Sequence, residues 1–152
     1  MTREGVQSLR TVIRGVAPVS PDPQGLMVAL ESLCQRTREL YGVSCAFSYE
    51  SPLELRDAEL ATQIYYLAQE AVTNAIKHAA PKSIEMSLAR ANGHMALSVR
   101  DDGQGFDSEH PPRSGGLGLR LMAYRARLIG ADFDLTSAPG GGTVVNCSFE
   151  AA

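Results

Sequence analysis

The stretch QEAVTNAIKH, residues 69–78, has the pattern of a helix with one polar and one apolar side. At about 100° per residue, Glu70, Asn74 and Lys77 fall within roughly 60° of one another, and His78 lies at the edge of this group. The opposite side is an apolar stripe at helical spacing, formed by Ile64, Tyr65, Ala68, Ala71, Val72, Ala75 and Ile76. Taken alone, the pattern favours an amphipathic surface helix, so any function of its polar face has to be argued from the rest of the chain.

The composition is that of one globular domain with its own core. The chain has 152 residues and a formal net charge of −3, and it lacks a long basic run, which argues against a nucleic-acid partner. No apolar run approaches the ~18 residues of a membrane span, and residues 1–10 lack the apolar core of a signal peptide. We therefore expect a cytoplasmic chain without membrane contact.

Cys34, Cys45 and Cys147 are scattered, and we expect them to be reduced and buried, without a metal site or disulfide.

Periodicity predicts helices and antiparallel strands in two layers. Helical spacing occurs over 6–16, 25–41, 56–79 and 119–129, and strand-like patterns occur over 43–49, 83–90, 94–101, 131–137 and 143–150. Asn92-Gly93, between two alternating runs, predicts a hairpin turn, and Leu40 is expected among the buried residues of its helix. The predicted fold class is α+β: a two-layer α/β sandwich with a mixed, mainly antiparallel sheet and helices on one face.

Three glycine-containing segments are each weak signals of function. DDGQGFD, 101–107, follows a strand and lets the backbone approach a planar ligand while a carboxylate faces it, although Asp and Gly also dominate plain turns. GGLGLRLM, 115–122, places Gly116 and Gly118 at the predicted opening of a helix, where backbone amides suit phosphate oxygens. PGGGT, 139–143, is a tight turn before the last strand. Their order and spacing after the polar-faced helix are far more specific than any one of them.

This ensemble resembles the Bergerat-type ATP-binding fold of histidine kinases, type II topoisomerases, heat-shock chaperones and mismatch-repair ATPases. More narrowly, QEAVTNAIKHA, DDGQGF and GLGLRLM resemble the N, G1 and G2 boxes of sensor histidine kinases of the nitrate-sensor type, and MAYRARLIGADFDLTSAPGGGTVV resembles the C-terminal half of their catalytic domain. LRTVIRGVAPV and GLMVALESLCQRTRELYGV resemble the segment that joins the helical bundle to that domain. The resemblance implies a dimerisation-helix tail at 1–18, a linker at 19–24 and an ATP-binding catalytic domain at 25–152.

The resemblance also implies roles for individual residues. Asn74 would bind Mg²⁺ through its amide oxygen, and Lys77 and His78 would contact the phosphates of ATP. Asp101 would accept a hydrogen bond from the adenine amino group, helped by the Thr143 hydroxyl. The other implied binding residues lie in the glycine boxes, within or beside a mobile lid over 104–118: Gly103, Gly105, Gly116, Leu117, Gly118 and Leu119. Glu70 is the implied catalytic residue, and it would orient the magnesium shell, polarise the nucleophile or support slow hydrolysis.

The implied activity is transfer of the γ-phosphate of ATP to a histidine on a dimerisation helix, for relay to an aspartate of a response regulator. His78, His94 and His110 are not followed by Asp or Glu as the acceptor histidine is, so we expect a chain that binds Mg²⁺-ATP and does not phosphorylate itself. Because the resemblance includes only the tail of the dimerisation bundle, we expect this chain to be a monomer. Its expected partners are the dimerisation helices and the response regulator. The alternatives are an anti-sigma-factor-type serine kinase, a hydrolytic ATPase of the same superfamily, and a binding module without catalysis.

Overall fold

The computed structural model describes residues 19–20, 22–50, 54–107, 109 and 113–150, with the backbone alone at 91 and 113–116. The predicted dimerisation-helix tail, 1–18, lies outside the described residues, and so does His110. The elements in chain order are α1 (Gly25–Tyr41), β1 (Ser44–Tyr49), α2 (Ala58–Asn74) with a π-helical continuation (Ala75–Ala79), β2 (Ser83–Ala91), β3 (His94–Asp101), α3 (Arg113–Leu128), β4 (Asp132–Ser137) and β5 (Thr143–Glu150).

The strands form one mixed sheet in the order β1-β2-β3-β5-β4. β1 and β2 are parallel, and the other neighbours are antiparallel. The predicted hairpin turn is confirmed, because Asn92 has φ 52° and Gly93 has φ 80°, the left-handed pair of a type I′ turn. The inward residues of this hairpin are buried against the helices: Ile84, Met86, Leu88, Met95, Leu97 and Val99. The predicted α+β sandwich is therefore the observed fold.

Local signals explain where α1 and α2 begin and end. The Asp57 carboxylate accepts a hydrogen bond from the Leu60 amide at 3.1 Å and caps the start of α2. Gly42, with φ 67°, ends α1 and donates its amide to the Arg38 carbonyl at 3.0 Å. The prediction that Leu40 is buried is wrong: the residue is 65% exposed, because it lines an open groove between the ends of α1 and α2.

The third helix begins six residues earlier than its predicted start at 119. Glycine in a helix interior costs about 1 kcal/mol relative to alanine, so the sequence pattern placed the start after Gly118. In the fold, α3 packs along α2 and these contacts offset that cost. The Arg125 guanidinium bonds the Gln63 side chain at 3.0 Å and lies 4.7 Å from the centre of the Tyr66 ring.

Parts of the chain outside these elements also pack closely. Val19, in the predicted linker, is buried in the core, and the Pro23 carbonyl accepts the Leu55 amide at 2.8 Å. The three cysteines are buried, as predicted, and each is a free cysteine in this structure. None of the described helices is long and apolar enough to cross a membrane.

Candidate functional site

A cavity lies between α2, α3 and the adjoining ends of β3, β4 and β5. Its apolar walls are formed by Val99, Phe106, Met122, Leu135 and Val145. Six residues that were proposed from the sequence also line it: Asn74, His78, Asp101, Gly105, Leu119 and Thr143. An apolar cavity with a few convergent polar groups is the usual form of a small-molecule site.

Asp101 is the buried carboxylate of this cavity. It is the last residue of β3 and only 8% exposed. One carboxylate oxygen accepts the Gly103 amide at 2.8 Å, and the Thr143 amide also bonds the carboxylate. Burial raises the pKa of Asp101 above its usual value, and the two amides oppose this shift. The carboxylate is therefore held in one orientation at the polar end of an apolar space.

Asp102 has a different role although it is the next residue. Its carboxylate is exposed and accepts the amides of Lys82 at 2.8 Å and Ser83 at 2.9 Å, which hold the start of β2. The Ser83 and Lys82 amides lower the pKa of Asp102. Successive side chains leave a strand on opposite faces, so only the first aspartate of DDGQGFD reaches the cavity.

The π-helical turn after Asn74 separates Lys77 from the other polar residues of the stretch 69–78. Each residue of a π turn advances by a smaller angle than in an α-helix, because the hydrogen bonds span five residues instead of four. His78 thereby stays on the cavity side, whereas Lys77 is exposed and lines the groove between α1 and α2 that also contains Tyr41. The sequence pattern, which assumed α-helical geometry, had placed Lys77 beside Asn74.

Asn74 and Glu70 lie beneath α3 at one side of the cavity. A Cβ added to Gly118 would come within 2.5 Å of the Asn74 amide oxygen and 2.7 Å of a Glu70 carboxylate oxygen, so only glycine allows this approach. The buried amide nitrogen of Asn74 has no hydrogen-bond partner among the described residues. The side-chain oxygen and nitrogen of Asn74 are nearly identical in shape. Rotating the side-chain amide by half a turn would place its oxygen beside the Glu70 carboxylate. These are hard oxygen donors of the kind that Mg²⁺ takes, so the residues fit that ion.

The predicted lid over 104–118 is restricted at both ends. The Gln104 amide donates to Ala79 at 2.8 Å, and the Phe106 amide donates to the Ser137 hydroxyl at 2.8 Å. Residues 113–118 belong to α3, so only 107–112 remain of the predicted lid, and most of these lie outside the described residues.

The earlier helix start also changes the predicted phosphate contacts. Only the amides of the cap residue and of the first three residues of a helix lack an intrahelical acceptor, so the amides of Gly116, Leu117 and Gly118, in the fourth to sixth positions of α3, are used within the helix. The Leu117 side chain is 64% exposed.

The cavity between α2 and α3 has a volume of about 60 Å³, well below the roughly 300–1,000 Å³ of ligand pockets.

Ser137 and Phe106 belong to the site but were not singled out from the sequence. Ser137 is buried, and its hydroxyl lies 2.8 Å from that of Thr143. A signal was present in SAPGGGT: residues that flank a turn between two antiparallel strands become cross-strand neighbours, and Ser137 and Thr143 are paired in this way. Phe106 gave no such signal, because its place depends on the path of the loop.

Comparisons with known proteins agree with this geometry. The histidine kinase domain of the blue-light-activated kinase EL346 from Erythrobacter litoralis has a TM-score of 0.69 at 21% identity, covering 87% of this chain and 64% of that one. The chain covers 45% of the longer EL346 kinase. The ATP-binding domain of PrrB from Mycobacterium tuberculosis has a TM-score of 0.67 at 20% identity, and the match covers 86% of this chain and 95% of that one.

At such identities these likenesses show the fold, which is the Bergerat ATP-binding fold of histidine kinase domains. The family assignment comes from the sequence of residues 59–152, more than half of the chain, which begins in α2 and includes every cavity-lining residue named above. By this match the chain belongs to the family of histidine kinase-, DNA gyrase B- and HSP90-like ATPases.

Proposed function

We propose that this chain binds Mg²⁺-ATP in the cavity between α2 and α3 and is the catalytic ATP-binding domain of a sensor histidine kinase. The observation that carries the proposal is the Asp101 carboxylate, fixed by the Gly103 and Thr143 amides at the end of an apolar cavity. A fixed acceptor against apolar walls suits a flat base with an exocyclic amine, as adenine has. Asn74, at the other side, is the donor for Mg²⁺, which would neutralise phosphate charge when bound.

Binding requires α3 to move at its first turns. Gly118 packs directly against Asn74 and Glu70, which leaves no room there for a phosphate chain and a metal ion. We infer that residues 113–118 shift or unwind when the nucleotide enters. Unwinding would also release the Leu117 and Gly118 amides for phosphate oxygens.

The chain's share of the kinase reaction is to position ATP and neutralise its charge. The γ-phosphate would pass to a histidine on the dimerisation helices and then to an aspartate of a response regulator. The N, G1 and G2 boxes and the 122–145 stretch support membership of the nitrate-sensor type. The sequence resemblance to kinases of this type also supports the division of the chain into a dimerisation-helix tail at 1–18, a linker at 19–24 and a catalytic domain at 25–152.

The test is calorimetric titration of Mg²⁺-ATP and Mg²⁺-GTP into the chain and its Asp101→Asn variant, with Asp102→Asn as the matched control. We expect ATP to be selected over GTP, binding to be lost in Asp101→Asn, and binding to persist in Asp102→Asn. Equal loss in both variants would mean that Asp101 only supports the fold. Absence of ATP binding to the folded wild-type chain would refute the proposal.

A second experiment tests the phosphotransfer. Labelled ATP is incubated with the chain alone and with a separately produced dimerisation bundle of a nitrate-sensor-type kinase. We expect label on the histidine of the bundle and none on this chain. Stable label on His78, His94 or His110 would contradict the expected absence of self-phosphorylation, and label on a serine of a supplied protein would favour a serine kinase.

Slow ATP hydrolysis is a second candidate, and the position of Glu70 favours it. The Glu70 carboxylate and the Asn74 amide meet the same point of α3, so a carboxylate lies next to the site that would hold the metal. A carboxylate there is within reach of a water beside the terminal phosphate. Hydrolysis without an acceptor, lost in Glu70→Gln with ATP affinity retained, would establish this activity.

A further inference from the structure

Helix α3 carries an apolar stripe on the side that faces away from the core. Its members, Leu117, Leu121, Tyr124 and Leu128, lie within about 60° of one another around the helix axis. Leu117, Tyr124 and Leu128 are each at least half exposed, whereas Met122, on the other side of the helix, is buried in the core. The outer side of a helix in a globular protein is normally polar. In the described part of the chain, α3 therefore has a second apolar face that is open to solvent.

The spacing of this stripe is that of a helix–helix contact. Its residues follow one another by four, three and four positions, as the a and d positions of a coiled coil do. From Leu117 to Leu128 the stripe is about 16 Å long. Single exposed apolar residues are common on protein surfaces, but an aligned row of this length is typical of an interaction site. We call these four residues the α3 seam.

The charge beside the α3 seam selects the kind of helix that can pack on it. Arg120 and Arg127 are exposed and lie along one flank of the seam, two turns apart, where the residues of a coiled coil choose the partner by charge. Residues 113–128 contain four arginines and no Asp or Glu, although the whole chain has a net charge of −3. A helix with carboxylates facing these arginines is attracted, and a basic helix is repelled.

The acidic residues nearest to the seam limit how far the partner extends. Asp57, Glu59 and Asp132 line a separate pocket at the end of α3, which Leu128 also lines. Carboxylates of a partner would be repelled there, so its acidic stretch should end before this pocket.

Two occupants from the same protein fit this charge poorly. Residues 1–18 have apolar residues at a similar spacing, but they contain three arginines and one glutamate. A second copy of α3 would bring four more arginines to the contact. Both arrangements place like charges side by side, which opposes association.

We propose that the α3 seam is a docking surface for an acidic amphipathic helix of a partner protein. The apolar stripe of that helix packs on the seam, and its carboxylates face Arg120 and Arg127. The inference goes beyond the proposed nucleotide binding and does not depend on it. Leu121, Tyr124 and Leu128 lie after residues 113–118, so this part of the seam persists when the first turns of α3 shift.

The probes for the test are two labelled synthetic peptides of three heptads, with leucine at the a and d positions and alanine at b, c and f. One peptide has glutamate at the flanking e and g positions, and the other has lysine there, so that like charges oppose pairing of either peptide with itself. Fluorescence anisotropy measures the binding of each peptide to the folded chain. We expect the glutamate peptide to bind at least about tenfold more tightly, because the arginines attract one peptide and repel the other.

Variants of the seam locate the contact. The double variant Tyr124→Ala/Leu128→Ala removes apolar area and should weaken the glutamate peptide at least about tenfold, as the loss of central apolar contacts does. The matched control is Leu40→Ala, because Leu40 is a similarly exposed leucine on α1. This control should leave the affinity unchanged. Urea unfolding checks that each variant remains folded.

A second pair of variants tests the charge. Arg127→Gln should narrow the preference for the glutamate peptide over the lysine peptide. Its control is Arg100→Gln, which removes an exposed charge from the sheet face opposite the helices and should leave the preference unchanged.

Several outcomes would overturn the inference. Absence of binding of the glutamate peptide, or equal affinity for both peptides, would mean that the seam does not select an acidic helix. Equal effects of the seam variant and Leu40→Ala would place the contact elsewhere. A wild-type chain that sediments as a dimer, and as a monomer in Tyr124→Ala/Leu128→Ala, would show that a second copy covers the seam. None of these results would affect the proposed nucleotide binding.

Discussion

The Asn92-Gly93 turn between β2 and β3 and the 138–142 turn between β4 and β5 lie at opposite ends of the sheet. Gly93 has φ 80° and Gly142 has φ 74°, so both adopt backbone conformations that favour glycine. A Cβ on Gly93 would meet nothing within 4 Å, whereas one on Gly142 would overlap the Asp101 carbonyl. At the hairpin turn, glycine is therefore needed only for its backbone conformation. At the turn beside the cavity, it is needed for both its backbone conformation and its close packing.

The largest expected effect is that of Gly142→Ala. The new methyl group would push the 138–142 turn away from Asp101, in addition to the cost of the left-handed conformation. Steric conflict at such a special backbone position destabilises by about 3 kcal/mol or more. We expect loss of that order in urea unfolding and no measurable ATP binding. Unchanged stability would mean that the turn relaxes freely and that the contrast with Gly93 is false.

Gly118→Ala should follow in size. In an ordinary helix this change stabilises by about 1 kcal/mol, but here the methyl group would meet the Asn74 amide and the Glu70 carboxylate. We expect stability to fall instead, whereas ATP affinity should not fall, because the shift of residues 113–118 that nucleotide entry requires also removes this conflict. Chemical unfolding and calorimetry measure the two quantities. In Glu70→Ala, where part of the obstacle is gone, the loss of stability should be smaller.

The adjacent aspartates should give opposite pH dependences. The pKa of Asp101 is raised by burial, so the folded chain binds this proton more tightly than the unfolded chain, and its contribution to stability falls as pH rises from 3.8 through the raised pKa. The pKa of Asp102 is lowered by the Ser83 and Lys82 amides, so its contribution is present above 3.8 and is lost as pH falls through the lowered pKa.

Urea unfolding of wild type, Asp101→Asn and Asp102→Asn across this acidic range measures both contributions. In Asp102→Asn, the loss of stability as pH falls should be absent. In Asp101→Asn, the decline in stability as pH rises should be absent. Identical profiles for the two variants would contradict the separate roles assigned to them.

Gly93→Ala should have the smallest effect. Its methyl group has open space, so only the left-handed conformation is penalised, by about 1–2 kcal/mol. We expect the midpoint of urea unfolding to fall slightly and ATP affinity to stay unchanged. A change in ATP affinity would show that the two ends of the sheet are coupled.

Much of the fold could be predicted because its signals are local. Hydrophobic spacing gave α1 and α2, and alternation with Asn92-Gly93 gave the β2–β3 hairpin. The start of α3 was predicted wrongly because Gly118 packs against Asn74 and Glu70 of α2, a tertiary contact that helix propensity does not include.

The site was predicted in part for a similar reason. Asp101 and Asn74 stand out through motifs whose order along the chain is specific, and both line the cavity. Lys77 could not be separated from them by periodicity, because a π turn changes the angle per residue and leaves little trace in the sequence.

The sequence by itself determined the element types, the sheet's inward face and the family, since these follow from periodicity, turn chemistry and motif order. Only the tertiary structure decided which aspartate enters the cavity, on which side of the π-helical continuation Lys77 lies, and that Ser137 bonds Thr143. Each of these depends on distances between segments that are far apart along the chain or on a local change of helix geometry, and a linear pattern encodes neither.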